Sequence, residues 1–196
     1  PGMYMSTVNN LAGIILMSGD FEGALKLIHH SRNIYRRELR TNQSRRYLKS
    51  LLRSYNVELE ILRDSHKYAL ALPVIEEISS FIRDKKTHIP ETYFISFSFQ
   101  IAYILFKTNQ MKEALMWING ILMYSDRSIR IDLQAMARIL NLMVHYELRN
   151  HFVLRYFVDN SRRFFNKYRK PLPAERELMS FFAKAGMLTD PERKER

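Results

Sequence analysis

The chain of 196 residues contains no cysteine. Disulfides, thiolate zinc sites and a cysteine nucleophile are therefore excluded together, and the absence fits a reducing compartment. Only six glycines and six prolines are present, which is few for a protein rich in tight β-turns. Leucine, isoleucine, methionine, lysine, arginine and glutamate are abundant instead, and this composition predicts an all-α protein.

Long hydrophobic runs are missing as well. No apolar run reaches the about 18 residues expected of a membrane-spanning helix, and the best segment, 92–106, is interrupted by Ser96, Ser98 and Gln100. No secretion signal opens the chain, so we expect a cytoplasmic protein without a membrane span. Because the chain begins Pro-Gly and enters a helical pattern almost at once, we also expect it to be a piece of a longer protein.

Recognised catalytic motifs are absent too. The sequence contains no glycine-rich phosphate loop, no HExxH or GxSxG motif and no calcium-binding loop. His29 and His30 are adjacent, and on a helix they point about 100° apart, too far to bind one metal ion. We therefore expect neither an enzyme nor a cofactor or metal.

Positive charge is concentrated in two segments. The net charge is +11. Residues 32–53 carry eight basic side chains against one acidic side chain, and residues 155–170 carry six against one. The remaining 17 basic and 18 acidic residues nearly cancel, so any attraction for an anionic partner comes from these two segments.

Apolar residues recur with the helical period along most of the chain, and short polar segments separate nine predicted helices. Gly19 is predicted to end the first helix, and Asp20 to cap the second. The segment Ser125–Ser128 is predicted to cap the seventh. We expect one domain over residues 1–196, with helical hairpins at roughly 3–40, 44–84, 91–124 and 129–170 and a further helix at 174–186.

Short segments around the breaks repeat. Residues 9–12 (NNLA), 19–21 (GDF) and 24–25 (AL) correspond to residues 101–102 (IA), 109–111 (NQM) and 114–115 (AL). Weaker copies are formed by Leu59, Leu62, His66-Lys67-Tyr68 and Ala71, and by Met143, Tyr146, Asn150-His151-Phe152 and Arg155. The marker positions Ala24, Ala71, Ala114 and Arg155 are then 47, 43 and 41 residues apart.

These segments resemble the tetratricopeptide repeat (TPR), in which small residues let two helices approach closely. The spacing exceeds the standard period of about 34 residues, so the repeats are elongated. The last segment, 132–148, also resembles the C-terminal part of uncharacterised bacterial helical-repeat proteins. The resemblance implies an α-α superhelix, a right-handed stack of antiparallel helix hairpins with a C-terminal capping helix. An irregular helical bundle is the alternative.

The resemblance also implies a groove lined by the first helix of each hairpin. The partner-binding residues implied in it are Arg53, Asn56, Glu60, Arg63, Phe99, Tyr103 and Lys107. The aromatic helix at 92–107 is then either the floor of this groove or part of the core, since an inner helix is apolar on all sides.

Basic residues recur four positions apart at 32, 36 and 40 and at 45, 49 and 53. Residues 162–170 alternate cations with aromatics, as a stacking surface for single-stranded nucleic acid does, although the same aromatics fit a packing face. A solvated helix face is the ordinary alternative for such clusters. The predicted basic patch comprises Arg36, Arg40, Arg45, Lys49, Arg162, Arg163 and Lys167.

Taken together, these features predict a non-enzymatic protein-interaction scaffold. Its partner is expected to be a protein or peptide with an acidic segment, bound by a pre-organised helical surface. Nucleic-acid binding through residues 32–53 and 155–170 is the alternative. The sequence predicts no oligomeric state.

Overall fold

A computed structural model describes residues 2–42, 45–83 and 89–188. Within these ranges all regular structure is helical, which confirms the predicted all-α class. The helices are α1 (Gly2–Met17), α2 (Phe21–Asn42), α3 (Arg45–Asp64), α4 (Tyr68–Arg83), α5 (Glu91–Lys107), α6 (Met111–Leu122), α7 (Ile131–Glu147), α8 (His151–Tyr168) and α9 (Pro173–Leu188).

The chain divides into two compact units, residues 1–100 and 101–196, and the division falls inside α5. In the first unit α1 packs on α2, α2 on α3 and α3 on α4, while α1 also reaches α3. Part of its core consists of Ala12, Ala24, Ile28, Val57 and Ile61. The first part of α5 is tied to α3, because the Gln100 Nε2 donates to Asn56 Oδ1 over 2.8 Å.

The second unit repeats this neighbour-to-neighbour packing. Helix α6 packs on α7, α7 on α8 and α8 on α9, and α7 also reaches α9. Its core includes Leu142, Leu154, Val158, Phe165 and Phe182. The right-handed course of the stack and the assignment of the whole chain to one domain stay predictions.

Each of the four hairpins turns through the same three-residue connection, at 18–20, 65–67, 108–110 and 148–150. The central residue is left-handed in every case: Gly19 (φ 84°), His66 (φ 57°), Asn109 (φ 61°) and Arg149 (φ 58°). Its N–H and the following N–H bond back to two carbonyls of the preceding helix, as in a Schellman motif. Only Gly19 takes this conformation without steric cost, which is about 1 kcal/mol or more for other residues.

The positions packed beside these turns are equivalent as well. Five residues after the left-handed residue stand Ala24, Ala71, Ala114 and Leu154, all fully buried. Arg155 is exposed, so the predicted alignment of the fourth copy is wrong by one residue. Asparagine adopts the left-handed conformation more readily than arginine, yet Arg149 and not Asn150 takes the position that is equivalent to Gly19.

Two predicted caps have different outcomes. The Asp20 Oδ1 accepts a hydrogen bond from the Gly23 N–H over 2.8 Å, which confirms the cap of α2. The predicted cap of α7 at Ser125–Ser128 is wrong, because α7 begins only at Ile131. The Asp126 carboxylate instead accepts from the Ser128 N–H and hydroxyl at 2.8 and 2.6 Å, closing a local turn.

No helix within the described ranges is both long and apolar enough to cross a membrane.

Candidate anion-binding site

A cleft of about 540 Å³ lies in the second unit, between the end of α6, the loop at 123–130, α7 and α8. Its lining contains four cations, Arg127, Arg138, Arg163 and Lys167. The other lining residues are amide, hydroxyl, apolar or aromatic, and no described lining residue is a carboxylate. The cleft therefore concentrates positive charge without internal neutralisation.

Arg138 is the most buried of these cations, with 9% of its surface exposed. Its Nη1 donates to the Gln134 carbonyl over 2.7 Å. Its guanidinium carbon lies 3.7 Å from the centre of the Phe164 ring, a close cation–π contact. In the part of the chain that the structure describes, Arg138 has no carboxylate partner.

The charge of Arg138 is disfavoured in the folded protein. Burial, followed by repulsion from Arg127, lowers the pKa of Arg138 from its ordinary value to about 10. Arg138 still carries its proton at neutral pH, so the folded protein holds a charge that it does not neutralise. An anion entering the cleft would relieve this unfavourable interaction.

Two further polar atoms at the cleft lack partners. The Arg127 Nη1 and the Asn141 Oδ1 are buried, and neither forms a hydrogen bond to any described atom. Asn141 is only 1% exposed. A buried donor or acceptor left unpaired costs about 1–3 kcal/mol, so a ligand that pairs both atoms would recover that free energy.

The loop that carries Arg127 is held in place by α7. The Gln134 Nε2 donates to the carbonyls of Asp126 and Ile129 at 3.0 and 2.8 Å. The local turn closed by Asp126 and Ser128 adds a second restraint. Because these contacts stabilise the loop before any ligand binds, little ordering free energy remains to be lost on binding.

Gln134, Arg138 and Asn141 belong to one polar stripe on α7, which His145 extends at the spacing of one helix face. The His145 ring stacks on the Phe157 ring with centroids 4.7 Å apart. Burial lowers the pKa of His145, and its Nδ1 has no partner among the described atoms. The stripe brings polar groups into a helix whose other faces are largely apolar.

Aromatic rings surround the cations contributed by α8. The Lys167 ammonium lies 5.2 Å from the centre of the Tyr168 ring, and Tyr156 lines the cleft with 62% of its surface exposed. A ligand bound to the cations would therefore meet flat apolar surfaces beside its charged group.

The second predicted basic segment is divided by the structure. Arg163 and Lys167 line the cleft, as part of a predicted basic patch. Arg162 does not: it pairs with Asp159 at 3.4 Å and lines a separate cleft of about 240 Å³ with Arg176. Adjacent positions on α8 thus face different surroundings.

Two arginines of the first predicted basic segment form ion pairs inside the first unit. Arg32 is 5% exposed and pairs with Glu58, and its guanidinium carbon lies 4.0 Å from the centre of the Tyr55 ring. Arg36 pairs with Glu77 and donates to the Tyr55 hydroxyl over 2.7 Å. These two arginines therefore stabilise helix packing and do not form an open stripe.

The remaining basic residues predicted for the patch in that segment belong to α2 and α3. Arg40 and Lys49 are exposed on α2 and α3. Arg45 begins α3, but its side chain lies outside the described residues. The basic patch predicted on the first unit therefore stays a prediction.

The predicted groove residues of α3 form polar contacts within the first unit. Arg53 donates to Asn10 Oδ1 over 2.8 Å, and Arg63 pairs with the adjacent Asp64 at 2.8 Å. Asn56 donates to Glu60 Oε1 over 2.9 Å. Their role in partner binding stays a prediction.

The predicted groove residues of α5 differ in exposure. Phe99 is 3% exposed and belongs to the core, so it offers no surface to a partner. In the second unit, Tyr103 is half-buried and Lys107 is exposed. The roles of Tyr103 and Lys107 in partner binding stay predictions.

The first unit contains a buried polar cluster around Glu58. The buried Glu58 carboxylate forms an ion pair with Arg32 and also contacts the His29 Nε2 at 2.5 Å. Counted from the left-handed residue of the hairpin turn, Glu58 and Asn141 occupy the same position, eight residues earlier. The first unit therefore has a carboxylate where the second has a neutral amide. No cluster of three potential metal ligands occurs among the described residues.

Comparison of the chain with protein-family models, with curated proteins and with solved structures gives no match. The function must therefore be argued from the geometry of the chain itself.

Proposed function

We propose that this chain is a non-enzymatic binding protein whose second unit holds an anionic segment of a partner protein. The proposal depends mainly on one observation: the buried Arg138 lies near Arg127, and neither arginine forms an ion pair with a described carboxylate. In our proposal the hairpins form a TPR-like stack in the cytoplasm, with the cleft as its binding surface.

Free-energy considerations support this use of the cleft. Taking a charge out of water costs several kcal/mol in a protein interior, and folding has already desolvated Arg138. A partner carboxylate or phosphate then gains a charge-assisted hydrogen bond without desolvating this arginine again. The Arg32–Glu58 pair shows how the same chain neutralises a buried arginine when no ligand is needed.

The test uses two neighbouring arginines of α8 that are both exposed. Arg163→Gln removes a cation from the cleft, whereas Arg162→Gln removes one from a different surface. Binding of a fluorescein-labelled peptide containing four aspartates is measured by anisotropy against the same peptide with asparagines. We expect wild type to bind only the acidic peptide, and Arg163→Gln to weaken binding by about 3- to 10-fold through loss of one charge-assisted contact.

The control separates a specific site from general attraction. Arg162→Gln should leave the affinity within about twofold, because it changes the net charge equally but not the cleft. Equal weakening by both variants would mean that the peptide senses only the overall charge of +11. Absence of binding to the acidic peptide and to every other anionic peptide would contradict the proposed function itself.

Nucleic-acid binding is the second candidate, favoured by the aromatic rings beside Arg163 and Lys167. Single strands bind where cations follow the backbone and aromatic side chains stack on bases. If this is the function, affinity for a mixed-sequence 12-nucleotide RNA should fall steeply as salt rises, with a logarithmic slope of about −0.7 for each phosphate neutralised. Tyr156→Ala should weaken RNA binding more than it weakens binding of the acidic peptide.

A further inference from the structure

We propose that the cleft recognises a phosphate monoester on a side chain of the partner, so that phosphorylation of the partner controls binding. This inference rests on the proposed function and specifies the anion. Two buried or partly buried guanidinium groups, Arg127 and Arg138, lie near each other at the cleft with no described carboxylate between them.

The charge of the two guanidinium groups matches a dianion better than a carboxylate. A carboxylate carries one negative charge, whereas a phosphate monoester carries about −1.5 to −2 at neutral pH and offers three strong acceptor oxygens. Guanidinium groups bind such tetrahedral anions through paired N–H donors. One phosphate could therefore neutralise both arginines at once, with Arg163 and Lys167 as further cations of the lining.

The arginines are also pre-oriented. Arg138 is fixed on one side by the Phe164 ring and on the other by the Gln134 carbonyl. Arg127 stands on a loop that Gln134 holds through two hydrogen bonds, and its buried Nη1 has no described acceptor. A donor held in position without a partner is what a fixed anion site provides.

The Asn141 amide and the charge of the two arginines favour a phosphorylated peptide. Its buried Oδ1 needs a hydrogen-bond donor, which a peptide backbone supplies through its N–H groups. Internal phosphodiesters of a nucleic acid carry only one charge each, so they match the two guanidinium groups less well than a phosphate monoester does. The cleft volume of about 540 Å³ is also that of a single pocket, and suits one side chain with its flanking backbone.

The experiment compares peptides with the sequence Ala-Gly-Ala-Xaa-Ala-Gly-Ala, each labelled with fluorescein. Xaa is phosphoserine, phosphothreonine or phosphotyrosine in three of them, serine in a fourth, and two consecutive aspartates in a fifth of similar charge. We expect the best phosphopeptide to bind at least about tenfold more tightly than the aspartate peptide. The reason is that a phosphate forms several charge-assisted hydrogen bonds with the two arginines at once. The serine peptide should not bind.

Three variants test whether the preference for phosphate over aspartate arises at this cleft. Arg138→Lys keeps the charge but removes the forked donor, and Arg127→Gln removes the unpaired Nη1. Both should reduce the preference for phosphate over aspartate by about tenfold, while Arg162→Gln should leave it unchanged. Circular dichroism at 222 nm shows whether each variant folds, and Arg127→Gln remains informative if Arg138→Lys does not fold.

The outcomes separate the two proposals. Equal affinity for the phosphopeptides and the aspartate peptide would overturn the phosphate inference and leave the proposed function standing. Failure of every anionic peptide to bind would overturn both. Inorganic phosphate competing as strongly as the phosphopeptide, or a 12-nucleotide RNA binding more tightly than it, would overturn the assignment to a phosphorylated protein segment.

Discussion

Replacing Arg138 with methionine removes a buried cation and keeps an unbranched side chain. Burial lowers the pKa of Arg138 to about 10 in the folded protein. A fall of this size corresponds to roughly 3 kcal/mol of unfavourable free energy for the charged form. Because the pKa is lower in the folded than in the unfolded chain, this penalty is complete below pH 10 and is relieved only as pH rises above it. It is therefore fully present at neutral pH.

The substitution also removes a favourable contact. The cation–π contact with Phe164, at 3.7 Å from the ring centre, contributes about 1–2 kcal/mol when desolvated. Methionine would restore part of that through sulfur–aromatic packing, about 0.3–1.5 kcal/mol. The net expectation is that Arg138→Met raises the free energy of unfolding by about 1–2 kcal/mol.

Urea unfolding followed at 222 nm tests this expectation, provided that the slope with denaturant is unchanged. Arg162→Met, at an exposed position on α8, is the control and should lie within about 0.5 kcal/mol of wild type. Phosphate at 20 mM should stabilise wild type and have little effect on Arg138→Met. A loss of more than about 1 kcal/mol in Arg138→Met would refute the reasoning, since it would show that the arginine is neutralised or needed for packing.

Further predictions concern stability. In urea unfolding, Leu154→Ala should lower the free energy of unfolding by about 2–5 kcal/mol, and Arg155→Ala should lower it by less than about 0.5 kcal/mol. A larger loss in Arg155→Ala than in Leu154→Ala would favour the register predicted from the sequence. Glu58→Gln should cost about 3–5 kcal/mol by leaving Arg32 buried without its carboxylate, and a neutral result would show that the pair contributes nothing. Because burial lowers the pKa of His145, stability should fall as pH drops through about 6.5. His145→Phe should lose less thermal stability than wild type between pH 8 and 5, and identical losses would contradict this account.

Much of the helical pattern was predictable because it depends on local rules. Apolar spacing and polar breaks give the nine helices of the described residues and the hairpin turns. Alanine predicts a close approach of helices, and Ala24 and Ala114 are indeed fully buried. The fourth copy carries leucine at both equivalent positions, Leu142 and Leu154, so its register could not be read from a small residue.

The candidate site was predicted only in part, because local charge density does not show which cations are neutralised. Arg36 has its partner Glu77 far along the chain, and no local pattern reveals that pairing. Arg138 stands outside both basic segments and was missed. A usable signal was present, since Gln134, Arg138 and Asn141 interrupt an apolar helix at spacings of four and three residues, which places them on one face.

The equal length of the hairpin turns restricts where this chain can gain or lose residues. The turns at 18–20, 65–67, 108–110 and 148–150 are all three residues long, whereas the described links that follow α6 and α8, 123–130 and 169–172, differ in length. An extra residue in a turn would rotate one helix by about 100° against its partner, but one in a link displaces no packed face. Insertions and deletions should therefore accumulate in the links, including the link at 123–130 that carries Arg127, so the segment free to vary also supplies part of the cleft.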